Sequence, residues 1–81
     1  ASSLDVKVYP NPARTAVTLE LSKNILKAQF KLLDARGKLV RKGIVNDKTT
    51  INIKNLSSGI YMLEVVGEKI RTRKKVLVNE L

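Results

Sequence analysis

The sequence predicts an all-β fold, a small antiparallel β-sandwich of about seven strands. Apolar residues alternate with polar ones through most of the chain, which is the period of a half-buried strand. Turn signals rich in Pro, Gly, Asn and Asp recur at intervals of roughly nine to twelve residues, as they do in sandwiches and barrels. The 81 residues make one small domain, which folds with little margin because its core is small.

Three strands are predicted in the first half of the chain. Leu4, Val6 and Val8 alternate with polar residues in the first strand. Pro10-Asn11-Pro12 ends that strand, because neither proline can donate a hydrogen bond to a sheet ladder. The apolar positions of the second and third strands are Val17, Leu19, Leu21, Ala28, Phe30 and Leu32.

The segment 22–33 has some helical character, because Ile25, Leu26 and Leu33 break its alternation. Residues 27–32 nevertheless alternate well, which favours a strand. A turn is predicted next at Asp34-Ala35-Arg36-Gly37, where glycine holds the fourth position as in type I turns and bulged hairpins. Gly43 in the returning strand predicts a β-bulge.

Four more strands complete the predicted sandwich. They cover residues 39–45, 49–54, 61–66 and 69–78. Turns at Asn46-Asp47-Lys48 and Gly67-Glu68 separate the first from the second and the third from the fourth. The third of these strands is apolar on both faces, which predicts a central position in its sheet. Its apolar residues are Tyr61, Met62, Leu63, Val65 and Val66.

The formal net charge is +9, from sixteen Lys and Arg against seven Asp and Glu. Such a balance favours anionic partners such as nucleic acid, lipid phosphate or an acidic polysaccharide, and is equally typical of a solubilising surface. No apolar run approaches the length of a membrane span. Ala1-Ser2-Ser3 has no apolar stretch behind it and does not resemble a signal peptide. We therefore expect a linker remnant at residues 1–3 and one domain at residues 4–81.

The residue types needed for most catalysis are missing. The chain has neither cysteine nor histidine, which removes disulfides, thiolate ligands and the commonest general base. The carboxylates are scattered, one per strand or turn, without a spacing that implies a shared site. They are Asp5, Glu20, Asp34, Asp47, Glu64, Glu68 and Glu80. The sequence predicts no enzyme activity, no metal site and no cofactor.

Two tyrosine-containing motifs favour structural roles. Gly59 and Leu56 precede Tyr61 at positions close to those of the tyrosine corner of immunoglobulin-like sandwiches, where the phenol bonds an upstream backbone group. We expect Tyr61 to stabilise a corner and fill core. Tyr9-Pro10-Asn11-Pro12 is too short, and too close to a strand, to be a ligand for a proline-reading domain. A rigid connection between strands is the better interpretation.

Cations are concentrated near the end of the chain, at Lys69, Arg71, Arg73, Lys74 and Lys75. In a strand, Arg71, Arg73 and Lys75 share one face with Leu77. The other face carries Ile70, Thr72, Lys74, Val76 and Val78. Nucleic-acid modules of this size pair such charge with aromatic stacking platforms. The three aromatic residues, Tyr9, Phe30 and Tyr61, are expected to serve packing or turns. The run therefore indicates an edge strand protected by charge, and no nucleic-acid partner.

Four motifs in this order resemble the C-terminal signal domain of cargo proteins of the type IX secretion system of Bacteroidetes. They are Val8 to Pro12, the hairpin from Leu32 to Val40, Leu56-Ser57-Ser58-Gly59-Ile60-Tyr61-Met62-Leu63, and Lys74-Lys75-Val76-Leu77-Val78. The similarity covers essentially all of residues 4–78. One departure is the tail at residues 79–81, because family members often end nearer the basic and apolar strand.

This resemblance implies a small immunoglobulin-like antiparallel β-sandwich and a non-catalytic sorting signal. The outer-membrane type IX translocon would read the domain after the parent protein reaches the periplasm. A sortase-like peptidase would then remove it, and the cargo is commonly attached to anionic lipopolysaccharide on the cell surface. The residues that match the family motifs, and are expected to take part in recognition, are Pro10, Asn11, Pro12, Gly59, Tyr61, Lys74, Lys75, Val76 and Val78.

We expect recognition to use strand addition at the last strand, so deletion of residues 74–81 should abolish export. Two other functions remain open on the sequence alone. A passive immunoglobulin-like spacer or adhesion module of a surface protein would tolerate removal without loss of export. A basic nucleic-acid binder would show steep salt dependence. A free edge on a small sandwich also permits self-association of the isolated domain.

Overall fold

Seven antiparallel strands form two sheets in the computed structural model, which describes residues 6–22, 25–68 and 70–79. In chain order they are β1 (Val6–Tyr9), β2 (Ala16–Leu21), β3 (Ala28–Leu33), β4 (Leu39–Val45), β5 (Lys48–Asn52), β6 (Gly59–Val66) and β7 (Arg71–Val78). One sheet has the order β1-β2-β5 and the other β4-β3-β6-β7. The prediction of a small all-β sandwich of about seven strands is confirmed.

The core lies between the sheets and follows the alternation seen in the sequence. Val17 and Leu19 of β2 are completely buried, as are Leu63 and Val65 of β6 in the other sheet. Among the described residues, no polar or charged residue is buried. Strand β6 lies between β3 and β7, so the central position predicted from its two apolar faces is confirmed.

The strand predicted within residues 22–33 is confirmed in place of a helix. Strand β3 pairs with β4 on one side and with β6 on the other, and Ile25 before it packs against the core. Several other predictions fall wholly or partly on residues 1–5, 23–24, 69 and 80–81, which lie outside the described residues. They are the linker remnant at 1–3, Leu4 of the first strand, Lys69 of the basic run and the end of the tail.

The β3–β4 hairpin has the predicted turn at Asp34-Ala35-Arg36-Gly37. The Gly37 amide donates to the Asp34 carbonyl at 2.9 Å, and Gly37 has φ +87°, a conformation that glycine adopts at no steric cost. The Asp34 carboxylate accepts hydrogen bonds from the amides of Lys38 and Arg36, each at 2.9 Å. These bonds, the Lys38 one foremost, lower the pKa of Asp34 because they favour its charged form.

The bulge predicted at Gly43 is wrong. Gly43 pairs in register with Phe30, and the irregularity of the hairpin lies nearer the turn, where Leu32 pairs with Arg41 and Leu33 with Leu39. Val40 is therefore the extra residue on β4. Glycine is favoured at position 43 for a different reason, because the Phe30 ring occupies the space that a Cβ would take. A Cβ there would meet Cε2 and Cζ of the ring at 2.8 Å.

Gly43→Ala is expected to destabilise the domain by about 1–2 kcal/mol, because the buried Phe30 ring must move away from the new methyl group. Urea unfolding followed by circular dichroism measures the effect. Lys42→Ala on the adjacent exposed position is the matched control and should change stability by less than about 0.5 kcal/mol. A double variant, Phe30→Leu with Gly43→Ala, should show a coupling that relieves part of the clash; strict additivity of the two changes would contradict this explanation.

Edge contacts join the two sheets at both sides of the sandwich. The turn after β4 leads into β5 in the other sheet, and the Arg41 guanidinium on β4 donates to the carbonyls of Asn52 at 2.9 Å and Lys54 at 3.1 Å. At the opposite side, the loop between β1 and β2 reaches across to β7. This second contact brings together most of the residues singled out in the sequence.

Candidate functional site

The residues expected to take part in recognition lie in three segments that meet at one corner of the sandwich. These are the loop after β1, the start of β6 and the end of β7. Gly59 pairs with Val78 and Tyr61 with Val76 across the β6–β7 ladder. Ala13, just beyond the loop, forms a parallel bridge with Val78. Motifs far apart in the chain therefore lie side by side at this corner.

Asn11 attaches the loop to the edge of β7 with its side chain. The Nδ2 atom donates to the Lys75 carbonyl at 2.9 Å, and Oδ1 accepts from the Leu77 amide at 2.9 Å. One side-chain amide thus supplies the donor and acceptor that a neighbouring strand residue would supply. The Ala13 amide then donates to the Leu77 carbonyl at 2.8 Å, and the Asn79 amide donates to the Ala13 carbonyl at 2.8 Å. We call these contacts of Asn11 and Ala13 with β7 the edge cap.

Tyr9, Pro10 and Pro12, which flank Asn11 in the chain, are all exposed. The peptide bonds Tyr9–Pro10 and Asn11–Pro12 are both cis. Tyr9 is 40% exposed, and its hydroxyl donates to the Glu20 carboxylate at 2.8 Å. This hydrogen bond to Glu20 is the main reason that the pKa of Tyr9 is raised, because the phenol must stay protonated to donate. The loop therefore exposes a tyrosine and two prolines, and the edge cap attaches this loop to β7.

The tyrosine corner predicted at Tyr61 is present. Its ring is buried, with 7% of its surface exposed, and its hydroxyl donates to the Ser57 carbonyl at 2.7 Å. Gly59 between them has φ +153° and nothing within 4 Å of where a Cβ would stand. Its requirement is therefore the backbone conformation and not space. The hydrogen bond from Tyr61 to Ser57 fixes the backbone just before β6.

Strand β7 is an edge of the four-stranded sheet, as predicted. Its odd-numbered residues Arg71, Arg73, Lys75 and Leu77 are exposed, whereas Thr72 and Lys74 are half-buried and Val76 and Val78 are buried. The two faces assigned from the sequence are thus confirmed. Arg73 forms an ion pair with Glu64 at 2.9 Å on the outer face. Because the Arg73 side chain is 70% exposed and solvent screens its charge, the pair contributes little to stability.

Burial separates the nine expected recognition residues into two groups. Pro10, Asn11, Pro12, Gly59 and Lys75 are exposed and Lys74 is half-buried. The side chains of Tyr61, Val76 and Val78 are core, so they shape the surface without reaching a partner. Recognition by these residues stays a prediction. Ala13 and Leu77, whose backbones take part in the edge cap, were not among the recognition residues expected from the sequence, because no sequence signal marks a backbone contact of this kind.

Two further observations concern metal binding and membrane spanning. Within residues 6–22, 25–68 and 70–79, no cluster of three or more His, Cys, Asp or Glu residues is placed to hold a metal ion. In the same described ranges, the structure has no helix of the length and apolar character needed to cross a membrane.

Comparison with known protein families identifies the domain. A family model described as secretion system C-terminal sorting domain matches residues 7–79, almost the whole chain. The chain belongs to this family. The match includes the loop after β1, the tyrosine corner and β7, which together build the corner described above. A search of curated protein sequences gives no match.

Membership confirms the resemblance to the sorting domains of type IX secretion. A type IX sorting domain is the signal that directs its cargo, and it implies interaction with the secretion machinery. It also implies export across the outer membrane to the cell surface or the extracellular space. The corner formed by the edge cap and the tyrosine corner is therefore a candidate surface of a sorting signal.

Proposed function

We propose that this sorting domain is a non-catalytic signal that the outer-membrane type IX translocon reads through its folded surface. The signal directs the parent protein across the outer membrane and is then removed by a sortase-like peptidase. The cargo is thereafter attached to anionic lipopolysaccharide or released. The domain match over residues 7–79 is the observation that carries the proposal.

The geometry of the corner supports recognition of a folded surface by the translocon over recognition of a linear C-terminal tail. The loop at Pro10-Asn11-Pro12 is fastened to β7 by two side-chain hydrogen bonds of 2.9 Å, so its prolines stand at a fixed distance from Lys75. Tyr61 fixes the approach to β6 beside it. A translocon that contacts this corner meets a preorganised surface, which lowers the entropy cost of recognition.

The test is export of a fluorescent reporter that carries a periplasmic signal peptide and residues 1–81 at its C-terminus. The host is a Bacteroidetes strain, compared with an isogenic strain lacking a working translocon. We expect the reporter outside the cell only where the translocon works, with a mass that shows loss of the domain. Retention in the periplasm of both strains would contradict the proposal, provided that a known signal domain exports the same reporter. That outcome would favour the passive spacer.

Point substitutions at the exposed corner are the variants to use with this reporter. Deletion of residues 74–81, although expected to abolish export, also removes the buried Val76 and Val78. Loss of export after that deletion would therefore report unfolding as readily as lost recognition. Lys75→Glu changes an exposed charge without touching the core, and Lys54→Glu on an exposed position outside the three corner segments is its matched control.

A further inference from the structure

We propose that the uncapped part of the β7 edge, residues 71–75, is a docking edge for an extended acidic segment of a partner protein. The segment adds to the four-stranded sheet as a fifth strand, beside β7. Its biological role rests on the sorting function proposed above. Its physical basis is the backbone and charge pattern of β7, together with the position of the edge cap.

The backbone groups on the open side of β7 carry the first argument. The Asn11 side chain forms hydrogen bonds with the Lys75 carbonyl and the Leu77 amide. The backbone groups of odd-numbered β7 residues therefore point away from β6. The same alternation turns the N–H and C=O groups of Arg71 and Arg73 outward, together with the N–H of Lys75. None of the described residues forms a hydrogen bond with these groups.

The edge cap defines where a partner strand can lie. Beyond Lys75 the outward groups of β7 are already paired with Asn11 and Ala13, so a new strand has no free partners there. Strand addition at the last strand is therefore limited to residues 71–75. This run still provides the hydrogen-bonding groups of a short strand, which is the pattern that strand addition uses.

Charge decides what kind of strand fits. Arg71, Arg73 and Lys75 are exposed on the outer face, where Arg73 forms an ion pair with Glu64 of β6. Carboxylates at alternate positions of an added strand would lie directly beside these cations, an arrangement that stabilises neighbouring strands. Arg73 can take part without releasing Glu64, because a guanidinium has five N–H donors.

A second copy of the chain fits this edge poorly. Two β7 strands paired side by side would bring Arg71, Arg73 and Lys75 of both copies against one another, and like charges on adjacent strands are destabilising. The basic edge therefore disfavours the self-association that a free edge otherwise permits, and favours a partner of opposite charge. An acidic extended segment is the occupant that satisfies both the backbone and the side chains.

The first test uses a labelled peptide of alternating glutamate and threonine, Glu-Thr-Glu-Thr-Glu-Thr-Glu, with the purified 81-residue chain. We expect salt-sensitive binding by fluorescence anisotropy, and slower hydrogen exchange at the amides of residues 71, 73 and 75. One matched control is a peptide of the same composition with its glutamates in one block. Another replaces each glutamate by lysine. Both controls should bind more weakly.

A pair of variants separates backbone pairing from charge. Arg73→Ala removes the charge and keeps the outward N–H. Arg73→Pro removes both, and it should leave the ladder with β6 intact because the backbone groups of odd-numbered β7 residues turn away from β6. We expect Arg73→Pro to bind the alternating peptide about 2- to 10-fold more weakly than Arg73→Ala, the loss of one hydrogen bond. If the proline variant fails to fold, peptide-dependent protection of the amides of residues 71, 73 and 75 in the unsubstituted chain decides whether the peptide pairs with the β7 backbone.

Equal binding of the block and alternating peptides, without protection of residues 71, 73 and 75, would overturn the proposal in favour of a charged patch. Concentration-dependent dimerisation that protects the same amides would overturn it in favour of a second copy. The peptide assay contains no translocon, so its result is independent of the reporter. Peptide binding with no export would contradict the sorting proposal alone, and export with no peptide binding would contradict the docking edge alone.

Discussion

Tyr61→Ala is expected to leave the domain largely unfolded, and with it to abolish export. Truncating a buried aromatic side chain costs about 3–5 kcal/mol. At about 0.05–0.15 kcal/mol per residue, 81 residues have about 4–12 kcal/mol of stability, and a domain this small lies toward the lower end. Tyr61 is only 7% exposed, and its hydroxyl also stabilises the corner before β6. Circular dichroism and urea unfolding measure the loss.

Tyr61→Phe isolates the hydroxyl, because the ring stays in the core. We expect it to cost about 1–2 kcal/mol, the value of one hydrogen bond to a partly buried carbonyl. The folded variant should keep its sheets, while the amides near Ser57 exchange faster with solvent. Stability equal to that of the unsubstituted chain would show that the corner does not depend on this bond.

Asn11→Ala is expected to have the largest effect of any substitution at an exposed position. It removes both side-chain bonds to β7 and so costs about 1–3 kcal/mol. It also uncovers the Lys75 carbonyl and the Leu77 amide, which lengthens the free edge and should increase aggregation. Urea unfolding, exchange of the Leu77 amide and size-exclusion chromatography measure the three effects.

Asn11→Asp keeps the shape of the side chain and tests the direction of the two bonds. The bond from the Leu77 amide can persist, but the Lys75 carbonyl would face a carboxylate oxygen in place of a donor. We therefore expect a loss of stability here as well, and one that diminishes as the carboxyl is protonated at low pH. Asn46→Ala at an exposed turn is the control for substitution of a surface asparagine. An Asn11→Ala variant as stable as this control would contradict the edge cap.

The strands and the tyrosine corner could be predicted because their causes are local. Alternation places Val17, Leu19 and Leu21 on one side of a strand whatever surrounds it, and a strand with two apolar faces has to be central. The tyrosine corner needs its residues within a few positions of one another. The bulge was misplaced for the opposite reason. The demand on Gly43 comes from Phe30 on the neighbouring strand, which local spacing does not reveal.

By itself, the sequence determined the fold class, the edge position of a basic last strand and the family of sorting domains. Tertiary structure alone decided that Asn11 binds β7 and that residues 71–75 are the open part of the edge. The difference is physical. Periodicity and turn chemistry act within a few residues, whereas a hydrogen bond between residues 11 and 75 exists only after two sheets have packed and brought them together.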